Sequence, residues 1–204
     1  MTRIGRPLPR SFFARPSPEV APDLLGRVLV RRSPEGGTIA VRIVETEAYQ
    51  EDDQASHSYR GRTARTDVMF GRPGHLYVYF TYGMHFCMNV VTGRTGEGSA
   101  VLLRAAEPVE GIAEMRTRRG VDDVRMLCSG PGRLCQAMGV TRSDDGADLV
   151  RGPVLRLAEG RRVADVAIDV TPRVGIRRAV DRPWRFVERA SPFASRARPA
   201  RLRG

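Results

Sequence analysis

The segment His75-Leu-Tyr-Val-Tyr-Phe-Thr-Tyr-Gly-Met84 alternates between two kinds of side chain before it reaches a turn signal. Leu76, Val78 and Phe80 fall on one face of an extended chain, and the intervening tyrosines fall on the other, as the two-residue period of a β-strand requires. The Tyr-Gly pair near its end is typical of a turn, and residues 86–92 then form a second apolar run. The segment therefore predicts a β-hairpin and an antiparallel sheet.

Helices and further strands are predicted on both sides of this hairpin. Prolines near the start and glycines after the end predict helices over residues 17–25, 108–119 and 129–138. Apolar runs between turn signals predict strands over residues 26–32, 38–45, 99–104, 154–157 and 184–187. Because strands and helices mix without regular alternation, the fold class is predicted to be α+β. A chain of 204 residues suits a single domain.

The charge of the chain is strongly unbalanced. Thirty-four basic residues, all of them arginine, face 23 acidic ones, which gives a net charge of +11. This surplus favours a polyanionic partner, above all nucleic acid, although an arginine-rich solvated surface has the same composition. Residues 1–10 and 194–204 are rich in arginine and proline and are predicted to be mobile basic tails around a folded domain over residues 11–193.

The cysteines and the ends of the chain indicate a cellular compartment. Cys87, Cys128 and Cys135 are odd in number and lack CxxC spacing, which predicts buried, reduced thiols without zinc. We find neither the pattern of a signal peptide nor that of a membrane span. We therefore expect a cytoplasmic protein.

Two carboxylates lie near the end of the apolar segment Arg42-Ile-Val-Glu-Thr-Glu-Ala-Tyr49. Residues two apart share a face of a strand, so Glu45, Glu47 and Tyr49 are expected on one side. A carboxylate beside an aromatic ring is a common setting for a general base. An exposed surface pair has the same spacing, so the residues alone leave both interpretations open, and either glutamate is a candidate for the base.

All five tyrosines of the chain lie between Tyr49 and Tyr82. A single tyrosine is usually part of a core, but a cluster of rings near a carboxylate in a basic protein suits chemistry on an extruded nucleobase. Tyr82 is expected at the tip of the predicted hairpin, where a large side chain is costly unless something receives it. Insertion into a nucleic-acid duplex is one such use.

Several segments of the chain resemble the alkyladenine (3-methyladenine) DNA glycosylase family. The likeness extends from about Phe13 to Phe193, with the motifs in the same order and at the same separations. It implies a curved, mostly antiparallel sheet flanked by helices, with a protruding β-hairpin that inserts into DNA. The matching segments are Arg42-Ile-Val-Glu-Thr-Glu-Ala-Tyr49, Ala55-Ser-His57, Arg60-Gly-Arg-Thr-Ala-Arg65, Met69-Phe70, residues 73–84, Cys87-Met-Asn89, Val101-Leu-Leu-Arg-Ala105, Glu107-Pro108, Cys128-Ser-Gly-Pro131 and Ser191-Pro192.

The resemblance assigns roles to individual residues. The general base of the family corresponds to Glu47, and the arginine that orients the nucleophilic water corresponds to Arg104. The positions that bind the flipped base correspond to Tyr49, His57 and Tyr79. The position at the pocket floor, which helps to exclude the amine of guanine, corresponds to Asn89. The positions that enter the DNA correspond to Tyr82 and Met84.

These roles imply a monofunctional DNA glycosylase of base excision repair that flips alkylated purines such as 3-methyladenine out of double-stranded DNA and removes them by hydrolysis. An anionic Glu47 would stabilise the oxocarbenium-like sugar and deprotonate the water, while Arg104 would lower the pKa of Glu47. Bifunctional glycosylases need an amine nucleophile to cut the strand. The chain contains no lysine, and the one remaining amine, at the N-terminus, belongs to a predicted mobile tail, so we expect an abasic site in an uncut strand.

Two alternatives remain open from the sequence. A non-catalytic nucleic-acid-binding module with the same fold explains the charge equally well but leaves the pocket residues without a purpose. A role in RNA binding or in hydrolysis of small nucleosides is the other alternative, but free nucleosides require neither a surface of net charge +11 nor a wedge such as Tyr82. No cofactor is implied, and the three histidines and three cysteines lack the spacing of metal ligands. We expect a monomer that acts on nucleoid DNA without contact to membranes or metals.

Overall fold

An antiparallel sheet forms the framework of the computed structural model, which describes residues 4–33, 36–81 and 83–196. The strands of these residues are β1 (Val28–Arg32), β2 (Thr38–Tyr49), β3 (Leu76–Thr81), β4 (His85–Val91), β5 (Ala100–Glu110), β6 (Leu155–Ala158), β7 (Ile168–Thr171) and β8 (Arg185–Glu188). The α-helices are α1 (Arg10–Phe13), α2 (Ser17–Asp23), α3 (Ile112–Arg119), α4 (Val124–Leu127) and α5 (Pro131–Met138). Short 3-10 helices cover His57–Arg60, Asp67–Phe70, Arg142–Asp144 and Asp165–Ala167. The predicted α+β class is confirmed.

The long strand β2 lies at the centre of the sheet. The strand order is β3-β4-β5-β2-β1-β6, and β8 pairs with both β2 and β7. The first half of β2 pairs with β1. Glu45, Thr46 and Glu47 pair with β8 on one side and with β5 on the other. The middle of β2 therefore has a strand on each side, and side chains that leave it there enter the interior of the molecule.

A register shift brings an arginine to this central region. Along the β2–β5 pair, Glu45 lies opposite Ala105 and Thr46 lies opposite Leu103, so Arg104 has no residue directly opposite it. An extra residue of this kind is a β-bulge, which bends the strand and redirects a side chain. The bulge explains how Arg104 reaches two glutamates of the neighbouring strand.

The predicted hairpin is formed by β3 and β4, and its two faces separate as expected. Leu76 and Val78 lie in the main core, where helices α2, α3 and α5 cover one side of the sheet. Tyr77 and Tyr79 lie on the other face, packed with a smaller cluster that contains Met69. The alternation of the sequence thus places the tyrosines away from the core and towards the space that holds the candidate site.

One predicted helix begins later than its proline suggests. Pro108 lies within β5, opposite Val41, and the helix α3 begins at Ile112. Gly111 reverses the chain between the two elements with a φ of 74°, a conformation that glycine adopts readily. Proline is tolerated in β5 because the described residues of β4 pair only with the other end of that strand, from Ala100 to Leu102.

The sequence predicts basic tails with few side chains to bury, but the segments at both ends of the described chain contact the folded domain. The N–H of Gly5 donates to Glu159, and the N–H of Leu8 donates to Leu157, at 3.0 and 2.9 Å. The side chain of Leu8 is buried in the main core. At the other end, Ser195 donates to a buried glutamate. Backbone N–H groups and the side chain of Leu8 provide these contacts.

The three cysteines are free and buried, as predicted. Within residues 4–33, 36–81 and 83–196, no helix combines the length and apolar character that crossing a membrane requires.

Candidate active site

Glu47 lies at the base of the candidate site, and its side chain is completely buried. One oxygen, Oε2, accepts the hydroxyl of Tyr49 at 2.8 Å and an N–H of Arg104 at 3.2 Å. The other oxygen, Oε1, accepts the backbone N–H of Val174 at 2.7 Å. A carboxylate can accept about four hydrogen bonds, so these three contacts leave room for one more at Oε1. The arrangement can hold and polarise a small donor such as water.

Glu45 is also fully buried, but its partners differ from those of Glu47. Its Oε1 accepts from Nε of Arg104 at 2.9 Å and from Nε of Arg185 at 2.8 Å. The hydroxyl and the backbone N–H of Ser195 complete the set, at 2.9 and 2.7 Å. Glu45 therefore faces two guanidinium groups and the end of the described chain. Neither glutamate lines the pocket described below, but Glu47 contacts two side chains that do, Tyr49 and Arg104.

The two carboxyl groups are expected to ionise differently. Burial is the largest influence on Glu45, but Arg104 and Arg185 outweigh it and hold the pKa of that carboxyl below its ordinary value. Burial raises the pKa of Glu47 above its ordinary value, although Arg104 and the N–H of Val174 oppose it. Arg104 acts to lower the pKa of Glu47, as expected from the sequence, but the net direction is upward because one shared arginine does not compensate for complete burial.

A pocket of about 500 Å³ lies beside Tyr49 and Arg104, the two side chains that contact Glu47. Nδ1 of His57 lies 3.1 Å from the hydroxyl of Tyr77, and the ring of His57 meets the ring of Tyr79 edge-on, with centroids 4.5 Å apart. Tyr77 and Tyr79 are stacked at 5.7 Å. Burial and the nearby Arg65 lower the pKa of His57 to about 4, so its imidazole is neutral at physiological pH. The part of the wall formed by His57, Tyr77 and Tyr79 is thus aromatic and uncharged.

The pocket brings together six residues named from the sequence. Tyr49, His57, Tyr79, Asn89 and Arg104 line it, and Glu47 contacts two of them from behind. Asn89 is buried and donates through Nδ2 to the carbonyl of Tyr77 at 3.3 Å, which fixes the orientation of its amide. These residues come from four strands and a 3-10 helix, so only the folded chain assembles them.

Met84, one of the two residues expected to enter DNA, lies at the turn between β3 and β4 and does not line the pocket. Met84 is 68% exposed there, and Phe80 near the same tip is 50% exposed. Tyr82 lies outside the described residues. The described part of the tip thus presents apolar side chains to solvent, although nothing in it shows insertion into DNA.

Residues 173–178, here called the pocket strap, were not singled out from the sequence. Val174, Gly175, Ile176, Arg177 and Arg178 line the pocket mouth. The backbone N–H of Val174 reaches Glu47, and the side chain of Arg173 is completely buried behind Tyr49. A backbone donor has no signature in a sequence, and one buried arginine is hard to recognise among 34 basic residues.

In the part of the chain that the structure describes, no three His, Cys, Asp or Glu side chains are grouped so that they could hold a metal ion. The charged groups at the pocket are those of Glu47, Arg104 and the strap arginines. The chemistry available from these residues is that of a buried carboxylate, a guanidinium and a fixed backbone N–H.

Comparison with known proteins gives this geometry a family. Residues 11–192 match the model of the family described as methylpurine-DNA glycosylase. The chain belongs to this family. The match covers the sheet, the pocket residues and the pocket strap, so the whole candidate site lies within the part that family members share.

Similar proteins occur in distant bacteria and archaea. A protein of Rhodopseudomonas palustris strain HaA2 is 50% identical over 192 residues, which cover 94% of this chain and 92% of the relative. A protein of Carboxydothermus hydrogenoformans is 49% identical, with coverage of 93% and 98%. One of Methanoculleus marisnigri is 51% identical, with the same coverage. All three carry the assigned name 3-methyladenine DNA glycosylase.

Proposed function

We propose that the protein is a monofunctional DNA glycosylase of base excision repair that excises alkylated purines such as 3-methyladenine. Membership of the methylpurine-DNA glycosylase family and the names of the relatives support this activity. The observation that carries the proposal is the buried carboxylate of Glu47, which holds three donors beneath an aromatic pocket and keeps one acceptor position open. The enzyme class is that of a hydrolase of N-glycosidic bonds.

The pocket supports binding of one flipped purine. Its volume of about 500 Å³ accommodates a single base with its sugar. Tyr49, His57 and Tyr79 provide rings against which the base can stack, a contact worth about 1–3 kcal/mol per base. This gain offsets much of the few kcal/mol that unstacking costs. Asn89 would lie at the pocket floor, where its fixed amide disfavours the exocyclic amine of guanine.

Glu47 would act on the bond that breaks. The carboxylate deprotonates a water held at the open position of Oε1 and stabilises positive charge on the sugar as the base departs. Arg104 retains N–H groups beyond those that bind the two glutamates, and these hold the same water. A general base of this kind contributes about 100- to 10,000-fold to the rate. Glu45, the alternative base, contributes by fixing Arg104.

The remaining parts of the proposal concern the DNA strand that is left after excision and the molecules that the protein binds. The chain contains no lysine, so a Schiff base from a side-chain amine is excluded and the product is an abasic site in an intact strand. Tyr82 and Met84 would fill the gap left by the flipped nucleotide. The pocket is formed by one chain, which fits a monomer on double-stranded nucleoid DNA in the cytoplasm. No metal or other cofactor takes part.

Single-turnover incubation with a duplex that contains one alkylated purine tests the catalytic role. Wild type should release the base, and Glu47→Gln should bind the duplex without releasing it. Glu107→Gln is the matched control, because this glutamate pairs with Arg42 away from the pocket. Equal binding without release by wild type as well would support the non-catalytic module, and full activity of Glu47→Gln would remove Glu47 from the mechanism.

Four further measurements test the other parts. Borohydride should trap no covalent adduct, and the strand should break only after alkali; a trapped adduct would contradict monofunctional action. EDTA should leave the rate unchanged. Tyr82→Ser should reduce flipping and excision, and an unaffected rate would show that Tyr82 is not the wedge. Light scattering of the purified protein should give the mass of one chain.

A further inference from the structure

Arg173 is the largest side chain that the fold buries completely. Its guanidinium contacts both oxygens of Asp53, itself wholly buried, with NH2 to Oδ1 at 3.0 Å. NH1 also donates to the carbonyl of Ala48 at 2.9 Å, and NH2 donates to the carbonyl of Ala179 at 3.2 Å. Arg173 thus joins the pocket strap to strand β2 through Ala48.

Two aromatic rings hold the same guanidinium. Its Cζ lies 4.6 Å from the ring centre of Tyr49 and 5.4 Å from that of Trp184. The Nε atom is buried and has no hydrogen-bond partner among the described residues, a costly situation for a polar group. A planar cation between two rings gains cation–π attraction, and its position defines where the Tyr49 ring lies.

Consecutive residues of the strap hold consecutive residues of β2. Arg173 holds the carbonyl of Ala48 and the ring of Tyr49, and Val174 holds the carboxylate of Glu47. A shift of the strap by one residue would therefore disturb all three contacts together. Replacement of a buried ion pair by apolar side chains is often neutral for stability, so stability alone does not account for the pair of Arg173 and Asp53 at this place.

We propose that Arg173, held by Asp53, is a positioning residue for base excision, which fixes the Tyr49 ring and the Val174 N–H against the Glu47 carboxylate. The proposal rests on the proposed function of Glu47 as general base. Arg173 itself does not line the pocket, so it acts through its neighbours and not on the substrate.

The consequence of this arrangement is a specific change with pH. The Tyr49 hydroxyl and the Val174 N–H both favour the ionised form of Glu47. When their geometry is lost, the pKa of Glu47 rises further, and a larger fraction of the enzyme is protonated and inactive at acid pH. Single-turnover rates should therefore fall most at the acid end of the profile, and the affinity for the lesion duplex should change less than the rate.

Arg173→Met and Arg173→Lys test this consequence in the full chain. Arg173→Met should reduce the rate by about tenfold or more at the acid end, the effect of losing one hydrogen bond to a charged group, and less at the alkaline end. Arg173→Lys keeps a charge for Asp53 but lacks the planar fork, so it should recover part of the loss. Arg31→Met is the control, because Arg31 forms a largely buried ion pair with Asp144 and neither residue lines the pocket.

The outcomes separate this proposal from the proposed function. An acid limb shifted to higher pH in Arg173→Met, but not in Arg31→Met, supports the positioning role. Profiles of Arg173→Met and Arg173→Lys that coincide in shape with wild type would overturn it, even if both variants unfold at lower temperature. If Arg173→Met does not fold, the shape of the pH–rate profile of Arg173→Lys alone tests the positioning role. Full activity of Glu47→Gln would instead refute the function on which the proposal rests.

Discussion

Removal of one hydroxyl, by Tyr49→Phe, isolates the contribution of a single hydrogen bond to the proposed base. The hydroxyl donates to Oε2 of Glu47 at 2.8 Å. Burial and the adjacent carboxylate raise the pKa of Tyr49, so it stays protonated and remains a donor over the whole working range of pH. The phenylalanine ring retains the stacking surface of the pocket and the contact with Arg173. The change therefore removes the donor and little else.

The size of the effect follows from the charge of the acceptor. A hydrogen bond to a charged group contributes about 1.5–3 kcal/mol. Each 1.36 kcal/mol corresponds to a factor of about ten in a rate or an equilibrium. Because the hydroxyl favours the ionised form, its loss raises the pKa of Glu47 and lowers the ionised fraction by about 10- to 100-fold at acid pH. At pH values where Glu47 is ionised in both proteins, the rates should converge.

The assay is single-turnover release of a methylated purine from a labelled duplex, measured across pH at saturating enzyme. Tyr59→Phe is the matched control, since Tyr59 is 44% exposed and does not line the pocket. An acid limb of Tyr49→Phe that superimposes on wild type would refute the reasoning. A loss of equal size at every pH would refute it as well, because that result would mean that the hydroxyl places the base and does not favour ionisation of Glu47.

Three other predictions concern stability, the histidine and the DNA contacts. Arg104 and Arg185 hold the pKa of Glu45 low, so its stabilising effect is present above its unfolded pKa and is lost as pH falls through its folded pKa. Urea unfolding of Glu45→Gln should show about 3–5 kcal/mol less stability at neutral pH and a flatter acid dependence; unchanged stability would contradict the buried network. Burial lowers the pKa of His57 to about 4, so its NMR titration should have a midpoint far below the ordinary histidine value, and excision should show no inflection from His57 between pH 6 and 7. Arg177→Gln and Arg178→Gln should each flatten the salt dependence of DNA binding by about 0.9 if each guanidinium contacts one phosphate; an unchanged slope would place that arginine off the DNA.

The sequence predicts most of the fold because alternation and turn residues are local signals. The hairpin of β3 and β4 and the separation of Leu76 from Tyr77 follow directly from the two-residue period. The start of α3 does not, since Pro108 suits both the first turn of a helix and the unpaired edge of a strand. Only the length of β2, which extends opposite Pro108, decides between them.

The candidate site also contains residues that can be predicted from the sequence and residues that cannot. Glu47, Tyr49 and Arg104 are predictable because a resemblance between motifs identifies side chains. The N–H of Val174 and the buried pair of Arg173 with Asp53 are not, since their roles depend on how a segment more than 100 residues away in the chain returns to β2. Likewise, Ser195 lies in a stretch with the composition of a tail, and only the fold brings it to Glu45.

The spacing of Glu45 and Glu47 suggests two equivalent carboxylates, but their surroundings make them different. Glu45 accepts from two guanidinium groups and a serine, which keeps it charged. Glu47 shares only Arg104 and otherwise relies on a hydroxyl and a backbone N–H. If Arg104 served Glu47 alone, it would stabilise the carboxylate more strongly and make it a weaker base. Burial, with a smaller contribution from the charge of Glu45, raises the pKa of Glu47, so Glu47 retains basicity. The two pKa values separate because Glu45 also faces Arg185 and Ser195, whereas burial outweighs the donors of Glu47, and the separation indicates which carboxylate is suited to accept a proton.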